Sequence, residues 1–64
     1  MSQNLIEEIN RFSSYKFDIK TNRIINLKTK ENTNIDEFLG IQHMLDTNRI
    51  LHKFEQNFEI QIIK

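Results

Sequence analysis

The sequence predicts an α+β fold with the element order αββαββ, in which two helices pack on one face of a mainly antiparallel four-stranded sheet. Two observations lead to this prediction. Apolar residues recur at helical spacing in two segments, and they alternate with polar residues elsewhere. The alternative order αββααβ, with three strands, stays open because residues 48–57 fit either a helix or a strand. At 64 residues the chain is expected to form one small domain, 1–64.

The first helix is predicted from about Gln3 to Phe12. Ser2 precedes it and is a suitable N-cap, and acidic residues fall in the first turns, where the helix dipole favours them. Ser13 and Ser14 are expected to end the helix. The apolar positions that define its buried side are Leu5, Ile6, Ile9 and Phe12.

A hairpin is predicted next, with its turn centred on Asn22. Apolar and polar residues alternate on both sides of this turn, as expected for half-buried strands. One register places the apolar residues on a single face. It pairs Ile19 with Ile25, Phe17 with Leu27 and Tyr15 with Thr29. In this register Ile24 lies on the polar side of the sheet or in the turn.

The central helix is predicted to begin after Asn34. Glu37 lies three positions later, which is the spacing of a capping box in which the two side chains cap each other's backbone amides. Gly40 lies inside the helix, and the expected reason is close approach by another backbone. The core-facing stripe is expected to contain Ile35, Phe38, Leu39 and Leu45, with Ile41 and Met44 on its flanks.

A second hairpin is preferred for the C-terminal part of the chain. Asn57 then occupies a loop position that requires left-handed geometry, which Asn tolerates. Lys53 falls opposite Glu59, a favourable cross-strand pair. The predicted register pairs Phe54 with Phe58, His52 with Ile60 and Ile50 with Ile62.

Composition excludes several classes of function. Nine basic and nine acidic residues cancel, which argues against a dedicated duplex-DNA binder. No apolar run reaches the length of a membrane span, and the first residues lack the features of a signal peptide, so the cytoplasm is the expected location. The chain contains no cysteine, so disulfides cannot stabilise it.

The sequence offers little evidence for a catalytic or a metal-binding motif. The serines share no motif with His43 or His52, and Gly40 is the single glycine, so glycine-rich phosphate loops are excluded. His43, Asp46 and His52 are the best candidate metal ligands, but their spacing matches no known site. We therefore expect no enzymatic activity, no cofactor and no metal.

Two binding functions are compatible with the sequence. Three large apolar residues are predicted on the outward side of the sheet and would form an interface with a protein partner or a second copy of the chain: Ile24, Leu51 and Ile63. The leading hypothesis is therefore a small non-enzymatic accessory or inhibitor protein that occupies a surface of a larger macromolecule. The small size of the chain and an amino-acid composition typical of an A+T-rich genome suggest that a phage or mobile element encodes it.

The alternative is a small nucleic-acid-binding regulator that uses the basic hairpin, residues 15–30. Its candidate phosphate-binding residues are Lys16, Lys20, Arg23, Lys28 and Lys30. Tyr15 and Phe17 alternate with some of them, but the predicted register places aromatic and basic residues on opposite faces. Base stacking and phosphate contact would then not share a surface.

Overall fold

Residues 1–63, which the computed structural model describes, form two α-helices and four β-strands. The predicted α+β class is confirmed, and a strand rather than a helix lies within residues 48–57. The elements are α1 (Gln3–Asn10), β1 (Tyr15–Asp18), β2 (Arg23–Asn26), α2 (Ile35–Thr47), β3 (His52–Glu55) and β4 (Glu59–Ile62).

The strands form a sheet in the order β1-β2-β4-β3, and every neighbouring pair is antiparallel. The strands β2 and β4 are therefore central, while β1 and β3 lie at the edges. Directly paired residues share a face of an antiparallel sheet. The inner face carries Tyr15, Phe17, Ile24, Asn26, His52, Phe54, Ile60 and Ile62, and the outer face carries Lys16, Asp18, Arg23, Ile25, Lys53, Glu55, Glu59 and Gln61.

The apolar core joins both helices to the inner face of the sheet. Ile9 of α1 and Ile41 and Leu45 of α2 have no exposed surface, and they belong to one cluster with the buried residues of β1, β2 and β4. Burying large aliphatic and aromatic side chains stabilises a fold by about 1.5–3 kcal/mol each. This cluster is therefore the main source of stability for so short a chain.

The predicted register of the first hairpin is wrong by three residues. Phe17 pairs with Ile24, and Tyr15 pairs with Asn26. Asp18 pairs with Arg23, so the turn consists of residues 19–22 and is centred between Lys20 and Thr21 rather than on Asn22. Within this turn the Asp18 carboxylate accepts hydrogen bonds from the Thr21 hydroxyl (2.8 Å) and the Lys20 amide (3.1 Å). These bonds hold the pKa of Asp18 below its usual value.

An odd shift in register exchanges the two faces of a strand. Ile24, predicted on the outer side, is completely buried in the core. Ile19 and Leu27, predicted to face inward, are 74% and 57% exposed. The prediction that Ile24 belongs to an outward patch is therefore wrong.

The second hairpin differs from its predicted register by two residues. Phe54 pairs with Ile60, and Lys53 faces Gln61 rather than Glu59. The predicted left-handed conformation of Asn57 is confirmed (φ 65°), and Phe58 shares it (φ 56°). Two successive left-handed residues make a tight turn whose twist suits a hairpin. An even shift preserves the faces, so the strands keep their predicted inner side chains.

Both predicted N-caps are confirmed. The Ser2 hydroxyl accepts a hydrogen bond from the Leu5 amide, and the Asn34 side chain accepts one from the Glu37 amide (3.1 Å). The Glu37 carboxylate does not return to Asn34, as a capping box requires. It lies instead within hydrogen-bonding distance of the loop after α1, where it accepts from the Ser13 amide and hydroxyl and the Ser14 amide.

These contacts tie the loop after α1 to the start of α2. Burial acts to raise the pKa of Glu37, but the hydrogen bonds from Ser14 and Ser13 outweigh it and lower the pKa. The carboxylate therefore stays ionised at neutral pH. Its position in the first turn of α2 is also favourable for a negative charge, because of the helix dipole.

The buried side of α2 is rotated from its predicted position. Ile41 and Leu45, four residues apart, point into the core, and Phe38 is half-buried beside them. Ile35 and Leu39, predicted to face the core, are 44% and 53% exposed. A helix with apolar residues around most of its circumference can bury one side only, and contact with the sheet selects it.

Gly40 lies under a side chain rather than another backbone. A methyl group added there would meet two ring carbons of Phe12 at 3.6 Å, an ordinary van der Waals distance. Since the position is helical, we expect Gly40→Ala to raise the free energy of unfolding by about 1 kcal/mol. Urea denaturation checks this. A lower midpoint would show that the Phe12 ring cannot tolerate the methyl group.

Candidate protein-binding surface

The strand β3 has a neighbour on one side only within residues 1–63, because it ends the strand order. The Ile63 amide donates to the Leu51 carbonyl (2.9 Å), which continues the ladder between β3 and β4. Hydrogen-bonding direction alternates along an antiparallel strand. Lys53 and Glu55 therefore direct their backbone groups toward β4, whereas His52 and Phe54 direct theirs away from the sheet. We call this outward row of backbone groups the β3 edge.

Apolar side chains lie beside the β3 edge on the inner side of the sheet. Phe54 is 53% exposed, and its ring centroid lies 5.5 Å from that of Phe38 on α2. Gln42 and Asp46 of α2 line a groove with Phe54 of β3. Ile35 and Leu39 lie on the same side of α2 as these two residues, by the 100° step of a helix. We call the β3 edge together with Ile35, Leu39 and Phe54 the β3 surface.

A cluster of aromatic side chains around Phe38 packs beneath the β3 surface, on the side that faces the core. The Phe38 ring contacts Phe58 edge-on, with centroids 5.4 Å apart, and lies 6.3 Å from Tyr15. The Tyr15 hydroxyl donates to the Phe58 carbonyl (2.8 Å). Burial, with smaller contributions from Glu59 and Glu37, raises the pKa of Tyr15 to about 12. The hydroxyl therefore remains a donor throughout the physiological range, and it fixes the hairpin turn that follows Phe54.

Charged side chains lie on the other side of the β3 edge. On the outer face, the Lys53 ammonium is 3.6 Å from the Glu55 carboxylate, and both side chains reach solvent. A cation and an anion two residues apart on an edge strand can each face a charge on an added strand. The surface therefore combines apolar area, backbone donors and acceptors, and paired charges.

His52 is oriented by its neighbours. Its Nδ1 lies 2.7 Å from the Ile50 carbonyl, which can only accept, so Nδ1 carries the hydrogen. Its Nε2 is 3.7 Å from the Asp46 carboxylate. The candidate ligands His43, Asp46 and His52 are not brought together, because His43 is an exposed residue of α2 and residues 1–63 contain no cluster of three potential ligands.

The sequence-predicted interface residues are separated by the structure. Leu51 and Ile63 face each other on the outer face and are 70% and 43% exposed, whereas Ile24 is buried on the opposite face. The rest of the outer face is mostly charged or polar, with Ile25 half-buried among these groups. A role for Leu51 and Ile63 in binding stays a prediction.

The basic hairpin offers fewer free charges than its composition suggests. Arg23 forms an ion pair with Glu59 (3.0 Å). Tyr15 and Phe17 are 1% and 6% exposed, so they present no ring on which a base could stack. The exposed cations of the hairpin and the segment after it are Lys16, Lys20, Lys28 and Lys30.

Sequence reasoning missed Ile35, Leu39 and Phe54 as surface residues. A signal was present, since the apolar positions of α2 form two overlapping stripes that one core contact cannot bury together. That excess predicts an exposed apolar side. Which stripe is exposed depends on the contact with the sheet.

Comparison of the chain with protein-family models, with curated proteins and with solved structures finds no match. Neither helix of the described residues 1–63 has the length and apolar character needed to cross a membrane.

Proposed function

We propose that this chain is a small non-enzymatic protein-binding accessory or inhibitor protein that acts by occupying a surface of a larger macromolecule. In this proposal both helices cover the inner face of the sheet, and the β3 surface is the binding site. A phage or mobile-element origin and a cytoplasmic location belong to the same proposal.

The observation that carries it is the exposure of large apolar side chains beside the β3 edge. Leu39 and Phe54 are each more than half exposed, and Ile35 is 44% exposed. Isolated monomers rarely leave such residues grouped in water, and grouped exposed apolar residues commonly mark interaction sites. The adjoining backbone groups of β3 can in addition pair with an extended segment of a partner.

Site-specific photo-cross-linking in cells that make the protein tests the proposal. A photoreactive phenylalanine analogue replaces Leu39 in one variant and Lys16, on the opposite edge strand β1, in the control. We expect discrete protein adducts from position 39 that position 16 does not give. Excess unlabelled protein should compete them away, and the Leu39→Glu protein should not. Identical adducts from both positions would contradict a site at the β3 surface.

A nucleic-acid-binding regulator is the competing function. Triple charge reversal at Lys16, Lys20 and Lys28 avoids Lys30, which lies in a groove with Phe38 and Phe54, and so leaves the β3 surface intact. If the competing function is correct, the parent protein shifts labelled single- or double-stranded nucleic acid, the shift weakens with salt, and the reversal abolishes it. We expect no shift from the parent protein, and unchanged adducts from position 39 in the reversed variant.

A further inference from the structure

We propose that the β3 surface binds a second copy of the chain, with β3 of the two copies pairing antiparallel about a two-fold axis so that Phe54 faces Phe54 and Lys53 faces Glu55. This inference uses the same β3 surface as the proposed function, and it names a second copy of the chain as the occupant. The two sheets would join into one continuous sheet.

The direction of the backbone groups restricts the registers that such a pair can adopt. His52 and Phe54 are the residues of β3 whose backbone groups point away from β4. In a hydrogen-bonded pair of β3 strands, each of them must therefore lie opposite an even-numbered residue of the second copy. Paired residues share a face, so inner side chains meet inner side chains. The possible registers of the two β3 strands therefore differ from one another by two residues.

Charge complementarity selects one register from this set. Placing Lys53 opposite Lys53 of the second copy, or Glu55 opposite Glu55, brings like charges together, which is unfavourable. The register between these two places Lys53 opposite Glu55 and, by symmetry, Glu55 opposite Lys53. Two favourable pairs then form on the outer face. Within each chain the Lys53 ammonium lies 3.6 Å from the Glu55 carboxylate, so both charges are already located on the edge strand.

The same register is favourable on the inner face. Phe54, 53% exposed in one chain, lies directly opposite its copy at the two-fold axis. Cross-strand aromatic pairs contribute beyond the area that they bury. Ile35 and Leu39 lie on the side of α2 nearest β3, so they would approach their copies across the axis. The association thus covers the apolar side chains that one copy leaves in water.

A charge exchange tests the partner and the register together. Lys53→Glu alone and Glu55→Lys alone each place like charges opposite one another at both symmetric pairs. Each is expected to weaken the dimer about 10- to 100-fold. An equimolar mixture of the two variants restores Lys–Glu pairs at both positions and is expected to dimerise. The double variant Lys53→Glu/Glu55→Lys should dimerise like the parent protein. Sedimentation equilibrium over a concentration series measures all of these.

A cysteine variant provides a second measurement. The parent chain has no cysteine. Directly opposed residues of a hydrogen-bonded pair have Cα atoms about 5.5 Å apart, within the range that a disulfide spans. Mild oxidation should therefore cross-link Phe54→Cys into a covalent dimer, whereas the control Lys16→Cys, on the opposite edge of the sheet, should stay monomeric.

The outcomes separate this inference from the proposed function. A parent protein that remains monomeric up to about 1 mM, or single charge variants that dimerise as tightly as the parent, would overturn the inference. If adducts with other proteins persist from position 39 in that case, the proposed function stands. A charge-sensitive dimer without such adducts supports the inference and refutes the broader proposal.

Discussion

Truncating Ile24 to alanine is expected to lower the free energy of unfolding by about 3–4 kcal/mol, because the side chain is completely buried and the change leaves a cavity in the core. A chain of this length has a total stability of about 3–10 kcal/mol. The variant should therefore be partly unfolded at 25 °C. Urea denaturation followed by circular dichroism measures the change.

The adjacent residue supplies the control. Ile25 points to the outer face and is only half-buried, so Ile25→Ala is expected to cost about 1 kcal/mol. Equal losses at the two positions would contradict the observed register of the first hairpin. A larger loss at Ile25 would support the register in which Ile24 faces outward. The pair of variants thus tests the assignment of faces independently of any binding assay.

Replacing Asn26 with alanine should destabilise the protein by about 3 kcal/mol. The side chain is 6% exposed and joins three parts of the chain. Its Nδ2 donates to the Asn57 carbonyl (3.0 Å) and the Thr33 hydroxyl (2.9 Å), and its Oδ1 accepts from the Lys28 amide (3.0 Å). Alanine removes all three hydrogen bonds, and each contributes about 1 kcal/mol to the free energy of unfolding.

Asn32→Ala is the matched control, because Asn32 is exposed and its substitution should change stability by less than about 0.5 kcal/mol. Asn26→Asp retains the acceptor but loses the donor to the Asn57 carbonyl, which cannot donate in return. It should therefore be destabilised as well. A wild-type unfolding midpoint for Asn26→Ala would show that this side chain does not hold the second hairpin against β2.

The change in register relocates the candidate interface. An outward apolar patch of Ile24, Leu51 and Ile63 was expected on the sheet, and burial of Ile24 removes its central member. Exposed apolar residues instead lie next to one another at the β3 surface, while Ile19 and Leu27 are exposed in the first hairpin and just after it. Substitution of Ile24 by aspartate would consequently unfold the chain and report nothing about binding, whereas Leu39→Glu addresses the β3 surface directly.

The elements of the fold follow from local chemistry that the sequence displays. Ser2 and Asn34 cap their helices with their own side chains, and Asn57 adopts the left-handed conformation that a tight turn requires. Alternation of apolar and polar residues places the strands near their observed positions. Such signals act between residues close in the chain, so they can be recognised without knowing the tertiary structure.

The faces of those elements depend on contacts between residues distant in the chain. Ile24 pairs with Ile60 of β4 and lies in the core, and contact with the sheet selects Ile41 and Leu45 over Ile35 and Leu39. The apolar patterns of β2 and α2 are each compatible with two orientations. The sequence by itself therefore determined which segments become helices and strands, except for residues 48–57, which fitted either. Only the tertiary structure decided which side chains are buried, because one core can accept one side of each element.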